Sequence, residues 1–541
     1  MIRVTEIRLP LAHGEDAIRK TVAARLGVDE QDVRDIKIAR RGYDARHKHR
    51  IMLVYHIDCS VDHESEILQK CQEDARAAMR VMPTPAHQYN VPSAPHPPQR
   101  PVVIGAGPCG LMAALVLAKA GLRPLIIERG KKVRERTVDT FAFWRKAELT
   151  PESNVQFGEG GAGTFSDGKL YSGVSDPRHL GRFVLETFVK AGAPAEILYL
   201  SKPHIGTFRL VTMVENLRAE IERLGGNYQF NSRVDGIRVD AQQRLTGLDL
   251  ADGSHIPTRH AVFALGHSAR DSFDMLHAAG LAMHAKPFSI GVRIEHPQSV
   301  IDAARFGPSA GHHLLGAADY KLVHRASNGR SVYSFCMCPG GTVVAATSER
   351  GAVATNGMSQ YSRAERNANA GIVVEVKPDI DFPNDVLGGI AFQRRWEQAA
   401  FNAGGRNYAA PAQKVGDFLA GRASTDLGAV IPSYKPGVTP ADLRDCLPDF
   451  AIDAIREALP VFDAKIPGFS MDDAVLTGVE TRTSSPLRLD RDKTGQSPSI
   501  RGVFPAGEGA GYAGGILSAG IDGIRAAEFL AAALREETPI S

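Results

Sequence analysis

The sequence predicts an α/β fold in three parts: a parallel-sheet domain, an α+β domain inserted into it, and a small α+β module ahead of both. Three observations carry this. First, the apolar strand Val102-Val103-Ile104 runs into Gly105-x-Gly107-x-x-Gly110. A helical run Leu111–Ala120 follows, and a second apolar run Pro124–Ile127 ends at the acid Glu128. Strand, helix and strand in that order give parallel neighbours. Second, the same grammar returns at the far end. Gly502–Glu508 reads as strand, turn and acid, and a long helix follows over Ile516–Arg535. Third, residues 1–82 alternate strand and helix periods on their own and are cut off by a proline-rich stretch.

The glycine run has a physical reading. Gly105 permits a tight turn, Gly107 lets a pyrophosphate approach the backbone, and Gly110 lets helix and strand pack closely. The helix N-terminus offers free N–H groups and partial positive charge to phosphates. Glu128 lies about 20 residues on, where a carboxylate binds ribose hydroxyls. A 2′-phosphate there would meet like charge, so NADP is disfavoured.

Composition bounds the rest. The chain has 541 residues, 43% hydrophobic and 23% charged, enough for two to four domains. Net charge is +3, from 64 basic and 61 acidic residues, which does not point to nucleic acid or membrane as an overall partner. Cys59, Cys71, Cys109, Cys336, Cys338 and Cys446 are too scattered for a disulfide framework. The first residues lack a signal peptide's apolar core, and no run suits a spanning helix, so a cytoplasmic location is expected.

In the first module, Ile2–Leu9 reads as a strand and Glu15–Leu26 as an amphipathic helix. Val33–Ala39 and Ile51–Ile57 read as strands, and Glu64–Met82 as a second helix. This order suggests a ferredoxin-like α+β sandwich, with residues 83–100 as a semi-stiff proline-rich linker. Between its second and third strands lie Arg40, Arg41, Tyr43, Arg46, His47, Lys48, His49 and Arg50. That basic stretch suits a patch for RNA or an acidic partner. It equally suits a solvated hairpin or a clamp on the main body.

Beyond Glu128, residues Phe157–Lys169 hold five glycines, which implies backbone lying close to a ligand. A helix is expected over Leu210–Leu224. Short strands follow at Tyr228–Phe230, Val234–Val239 and Leu245–Leu250, and a buried strand Ala261–Leu265 closes on Gly266. Residues 271–474 mix strands (Phe288–Glu295, Thr342–Thr347) with a helical stretch Pro440–Leu459, and form a substrate or cap domain by elimination. The parallel-sheet domain then takes 101–270 and 475–541.

Candidates for chemistry are few. Cys336 and Cys338 form C-x-C. In a strand, positions i and i+2 share a face, so both thiols point one way. They are redox or nucleophilic thiols, or else small core residues at a strand end. Two thiolates without nearby partners leave zinc unsatisfied, so no metal is expected. His204 and Arg482 stand in Gly/Thr/Ser-rich surroundings. They suit a substrate carboxylate or a proton transfer, and equally an ordinary hydrogen-bonded structural role. Cys109 reads as packed against helix and strand.

Taken together, the βαβ start, the strand closing on Gly266 and the Gly507-Glu508 pair with its helix resemble the two-dinucleotide-binding-domain flavoproteins. These are the glutathione-reductase-like superfamily, in its FAD branch of oxidases, hydroxylases and fumarate-reductase-like enzymes. The whole chain looks like a narrower group, bacterial FAD-dependent dehydrogenases of unassigned substrate with an N-terminal ferredoxin-like module. The segments that carry this are Arg40–Arg46, Phe157–Lys169, Phe335–Gly341 and Glu480–Pro486. The resemblance implies a Rossmann-like FAD-binding domain with noncovalent FAD. It implies cofactor contacts from Gly105, Ala106, Gly107, Pro108, Cys109 and Gly110 at the pyrophosphate, and from Glu128 and Arg129 at the adenosine ribose. It further implies Gly161, Ala162, Gly163, Thr164 and Ser166 along the glycine-rich loop, and Val234, Ala264 and Gly266 beside adenine. Gly507 and Glu508 would meet the flavin's ribityl and phosphate region, and Gly515 and Ile516 its pyrimidine edge. A helix N-terminus there would stabilise the negative charge of reduced flavin. No second strand-GxGxxG-helix-acid unit lies in 271–474, and no Cys-x4-Cys pair follows the first, so a built-in NAD(P)H domain is not expected. The implied function is an FAD-dependent oxidoreductase working between a small organic substrate and an external electron partner. A flavoprotein acting on RNA through its first module, and a non-catalytic flavin-binding sensor, are the alternatives.

Overall fold

The computed structural model describes residues 1–74 and 79–537. The nucleotide-type sheet has five parallel strands, in the order Val503–Pro505, Ala261–Phe263, Val102–Ile104, Leu125–Ile127 and Asn227–Gln229. The segment around Val102–Ile127 and the late strand Val503–Pro505 therefore meet in one sheet. Every residue of its three central strands except Leu125 is buried, as expected where helices cover both faces. Helices Pro108–Lys119 and Ile516–Glu537 pack together against it. They meet so closely that a Cβ at Gly523 would fall 2.1 Å from the Cys109 carbonyl oxygen.

A larger, mostly antiparallel sheet of eight strands stands beside it. Its centre is Ser331–Ala345, Asn367–Val376, Phe288–Pro297 and Val475–Glu480. Asn367–Val376 and Phe288–Pro297 are buried almost throughout, covered by helix Asp449–Lys465 on one side. The expected helix Pro440–Leu459 is replaced. Val438–Pro440 is a strand, Leu443–Asp445 a single 3₁₀ turn, and the helix begins only at Asp449. Pro448 explains the delay, because proline disfavours helical backbone in the residue before it.

The first module has strands Ile2–Pro10, Arg34–Asp44, Met52–Ser60 and Val81–Pro83, with helices Ala17–Leu26 and Glu64–Gln72. Its sheet order is second, third, first, fourth, with every neighbouring pair antiparallel. This is the split βαβ arrangement. The second helix is shorter than its expected span Glu64–Met82, part of which lies outside the described residues. Val81 is buried and extends the sheet beside Ile2–Val4.

The hairpin carrying the basic stretch sits on the main body. Arg41 N–H donates to the Tyr199 carbonyl (2.7 Å), and Ser201 N–H returns a bond to Arg41 (2.9 Å). Tyr43 stands edge-on to Phe306 and donates to Asp319 (3.3 Å), while Ile51 joins the large sheet's core. A clamp is the alternative this docking matches.

Candidate functional site

The glycine-rich turn, the loop over 157–169 and the start of the last helix converge because glycine lets their backbones touch. A Cβ at Gly105 would lie 2.5 Å from the Ala264 carbonyl oxygen, one at Gly161 2.9 Å from the Gly107 Cα, and one at Gly163 2.9 Å from Ile516. Gly105 has φ +100°, which a residue with Cβ rarely adopts. Arg136 shapes the loop from beneath. It is fully buried and donates to the carbonyls of Asn154, Val155, Gly158 and Glu159 at 2.7–3.2 Å.

These segments wall a cavity of about 630 Å³ that reaches the large sheet. Its lining includes Gly105, Gly107, Pro108, Cys109, Glu128, Arg129, Gly161, Ala162, Gly163, Ser166, Val234, Ala264, Gly266, Glu508, Gly515 and Ile516. It also includes Lys169, His267, Tyr333, Cys336, Arg482 and Thr483. Four expected contacts stand behind the wall instead. Ala106 is buried and spends its N–H on Glu128 (2.9 Å). Gly110 packs on the turn, where a Cβ would sit 1.8 Å from the Gly105 carbonyl oxygen. Thr164 is buried beneath Gly160, and Gly507 abuts Cys109 with its N–H held by Asp522 (2.8 Å).

Glu128 ties the wall together. Its carboxylate accepts from Ala106 N (2.9 Å), Gly130 N (2.9 Å) and Gly158 N (3.0 Å). A carboxylate has about four acceptor sites, so one remains for a ligand hydroxyl. Arg129 is committed elsewhere, donating to Glu152 (2.7 Å) and Asp271 (2.8 Å) while stacked 4.0 Å from the Phe157 ring. Glu508 is held up to about 7 by desolvation, partly opposed by Lys286 and reinforced by Cys336. His267 stands 3.9 Å from it, and burial and then Arg482 push that imidazole down to about 3, so it is neutral.

Arg482 lines the cavity with little free donor capacity. It donates to Glu397 (3.0 and 3.1 Å), Ser268 (3.1 Å) and Ser348 (2.8 Å). Arg270 meets the same Glu397 at 2.7 Å. The two guanidiniums hold that buried carboxyl well below its usual range despite desolvation. His204 does not line the cavity. It stacks on Tyr361 and bonds its carbonyl (3.0 Å), and burial pushes it down to about 4. Cys109 is buried, and burial pushes its thiol well up, in keeping with a packing role.

The residues missed in sequence surround Cys336 and Cys338. Lys169 Nζ lies 4.0 Å from Cys336 Sγ, 3.6 Å from Cys338 Sγ and 2.9 Å from Asp167. Arg363 also pairs with Asp167 (2.5 Å). Asp167 and Lys169 stood inside the glycine-rich run, a usable signal, whereas nothing near Arg363 marked it. The strand is not regular here. It bulges between Phe335 and Cys338, and Cys336 has φ +41°. The two thiols still face one lysine, through a bulge and not through the pleat.

The walls fit a dinucleotide. Gly266, Gly514 and Gly515 line the cavity, and a Cβ at any of them would meet nothing within 4 Å, so their missing side chains leave room that belongs to the cavity. Helix Pro108–Lys119 begins without a side-chain cap, leaving amides for phosphate.

Comparison with known proteins agrees. Residues 287–483 match the family described as FAD-dependent protein, C-terminal domain-like. Residues 99–288 match pyridine nucleotide-disulphide oxidoreductase, and residues 1–60 match a domain of unknown function. The protein is an FAD-dependent oxidoreductase, with FAD as its cofactor. It belongs to the same family as a Clostridium beijerinckii protein described as uncharacterized, to which it is 44% identical over 530 residues, 98% of each chain. Among solved structures, the L-amino acid deaminase of Proteus vulgaris is 12% identical with TM-score 0.34, over 82% of this chain and 94% of that one. Glycine oxidase from Geobacillus kaustophilus is 12% identical with TM-score 0.33, over 80% and 94%. Likeness at this level says nothing of activity. Among the described residues, no helix is long and apolar enough to cross a membrane.

Proposed function

We propose that the protein passes electrons between a small organic substrate and an external electron partner, in the cytoplasm, with FAD held noncovalently. This reading places it in the two-dinucleotide-binding-domain superfamily. The observation that carries it is one continuous cavity lined by the glycine-rich turn and by the polar group around Lys169. FAD, when bound, supplies the hydride and electron chemistry.

The chain's own residues do the rest. Gly105, Gly107, Pro108 and Cys109 present backbone to the pyrophosphate, and the free acceptor site of Glu128 takes the ribose. Val234, Ala264 and Gly266 border adenine. Gly161, Ala162, Gly163 and Ser166 close over the cofactor, with Glu508 at the ribityl chain and Gly515 and Ile516 at the flavin's pyrimidine edge. Lys169, kept protonated by Asp167, offers positive charge to the substrate region beside Tyr333 and Cys336. Residues 271–474 supply most of that region, as an insertion between 101–270 and 475–541, while residues 1–82 brace it through Tyr43 and Asp319.

Purified protein is expected to be yellow, to bleach on anaerobic photoreduction and to recover its colour with an added acceptor. Glu508→Ala should weaken FAD retention. A protein that takes up no FAD, or a bound flavin that cannot be reduced, overturns the reading.

A further inference from the structure

Cys336 and Cys338 are separated by one residue in the strand Ser331–Ala345. In a regular strand, Cβ atoms two residues apart lie about 6.6 Å apart, whereas a disulfide needs about 3.5–4.5 Å. The register slip between Phe335 and Cys338 takes this pair out of regular strand geometry. It inserts an extra residue opposite Gly371–Asn369, and Cys336 takes up left-handed backbone. Such a conformation at a residue with Cβ persists only where its surroundings impose it. Here Arg293 imposes it. Arg293 is fully buried, its guanidinium donates to the Cys336 carbonyl (3.1 Å), and Glu480 anchors it at 2.9 Å.

The result is a matched pair. Cys336 stands on the cavity wall and Cys338 is fully buried behind it, its thiol donating to the Cys336 carbonyl (3.3 Å). Lys169 Nζ approaches both sulfurs, with Asp167 behind it. The neighbouring Cys338 thiol, and then the ammonium, hold the Cys336 thiol well below its ordinary value against the pull of burial. The neighbouring Cys336 sulfur and burial push Cys338 well above. In the reduced pair thiolate character therefore sits on Cys336, and in the oxidised pair Cys336 is the sulfur an incoming thiol can reach.

We propose that Cys336 and Cys338 are a redox-active pair that opens and closes an intramolecular disulfide, making the substrate a small dithiol. This rests on the FAD-dependent reading above. Two substrate thiols attack in turn. The first bonds to Cys336 Sγ and breaks the Cys336–Cys338 bond, with Lys169 stabilising the departing Cys338 sulfur. The second substrate sulfur displaces Cys336, leaving a substrate disulfide and an enzyme dithiol. Cys336 and Cys338 then re-form their bond, giving two electrons and two protons to the oxidised flavin. Lys169 acts by its charge on the two sulfurs it touches and forms no bond in this scheme, whereas the sulfurs react.

The test uses the FAD-loaded full chain. Anaerobic reductive titration with dithionite should consume twice the electron equivalents of the bound flavin in the wild type, and the flavin's equivalents alone in C336S and C338S. Air-oxidised wild type, denatured and alkylated, should yield a peptide spanning both cysteines that is two hydrogens lighter than the dithiol and unlabelled. Prior reduction should restore two labels. Flavin equivalents alone in the wild type, or two labelled cysteines in the oxidised holoenzyme, overturn the thiol pair. A wild type that binds no flavin overturns the underlying reading instead, and the peptide measurement still decides the pair, because it needs neither flavin nor a folded variant.

Discussion

Glu128→Gln is the most informative single change, because one side chain joins three segments of the cofactor wall. The carboxylate accepts two N–H groups on one oxygen, from Gly130 and Gly158, and one on the other, from Ala106. Glutamine has a single acceptor oxygen. In its better orientation it keeps Gly130 and Gly158 as neutral bonds and turns its NH₂ against the Ala106 N–H, donor against donor. A bond to a charged group contributes about 1.5–3 kcal/mol, and a neutral one about 0.5–1.5. Losing one and weakening two comes to about 3–5 kcal/mol. The cost should fall on the nucleotide-binding sheet. Both tryptophans, Trp144 and Trp396, lie in or against the large sheet's core instead. Urea unfolding at fixed FAD concentration, followed by flavin release and by tryptophan emission, separates the two. Flavin release should shift to lower urea, and the tryptophan transition should move less. A flavin-release free energy within about 0.5 kcal/mol of wild type would refute the argument.

Glu397→Gln should cost about 3–5 kcal/mol in the tryptophan transition, because it strips the shared carboxylate from the buried Arg270 and Arg482. Gly110→Ala drives a Cβ to 1.8 Å from the Gly105 carbonyl oxygen, so it should abolish flavin retention on gel filtration. Gly14→Ala, whose Cβ meets nothing within 4 Å, should change stability by less than about 0.5 kcal/mol. Glu508 holds its proton up to about 7 in the folded protein, against 4.5 ordinarily. Its contribution to stability is therefore full below the ordinary value and is lost as pH rises through about 7. Between those limits thermal stability should fall by about 1–2 kcal/mol after allowance for solvent screening. Glu508→Gln should flatten that slope, and an unchanged slope would reassign it to another group.

How much of the site was legible depends on how local its signal was. The turn from Gly105 to Gly110 and the acid at Glu128 could be read because one short stretch must satisfy turn, close packing and ligand approach together. Ala106, Gly110, Thr164 and Gly507 belong to the same motifs yet stand behind the wall. A motif marks a neighbourhood, and packing decides which of its atoms face the cavity. Arg482 and His204 could be suspected from their polar surroundings. Their partners, Glu397 and Tyr361, lie far off in sequence at no characteristic spacing.

By itself, the amino-acid pattern determined that this chain has an α/β fold built from two distant segments and that it holds a dinucleotide. Both follow from glycine, apolar period and terminal acid, which act over a few residues. Only the tertiary structure decided that Asp167, Lys169, Cys336, Cys338 and Arg363 form one group, and that Tyr43 reaches Asp319 from the first module. Those meetings depend on how a bulged strand, a glycine-rich loop and a docked hairpin pack together. Packing of that kind is settled by shape and buried charge across the whole molecule.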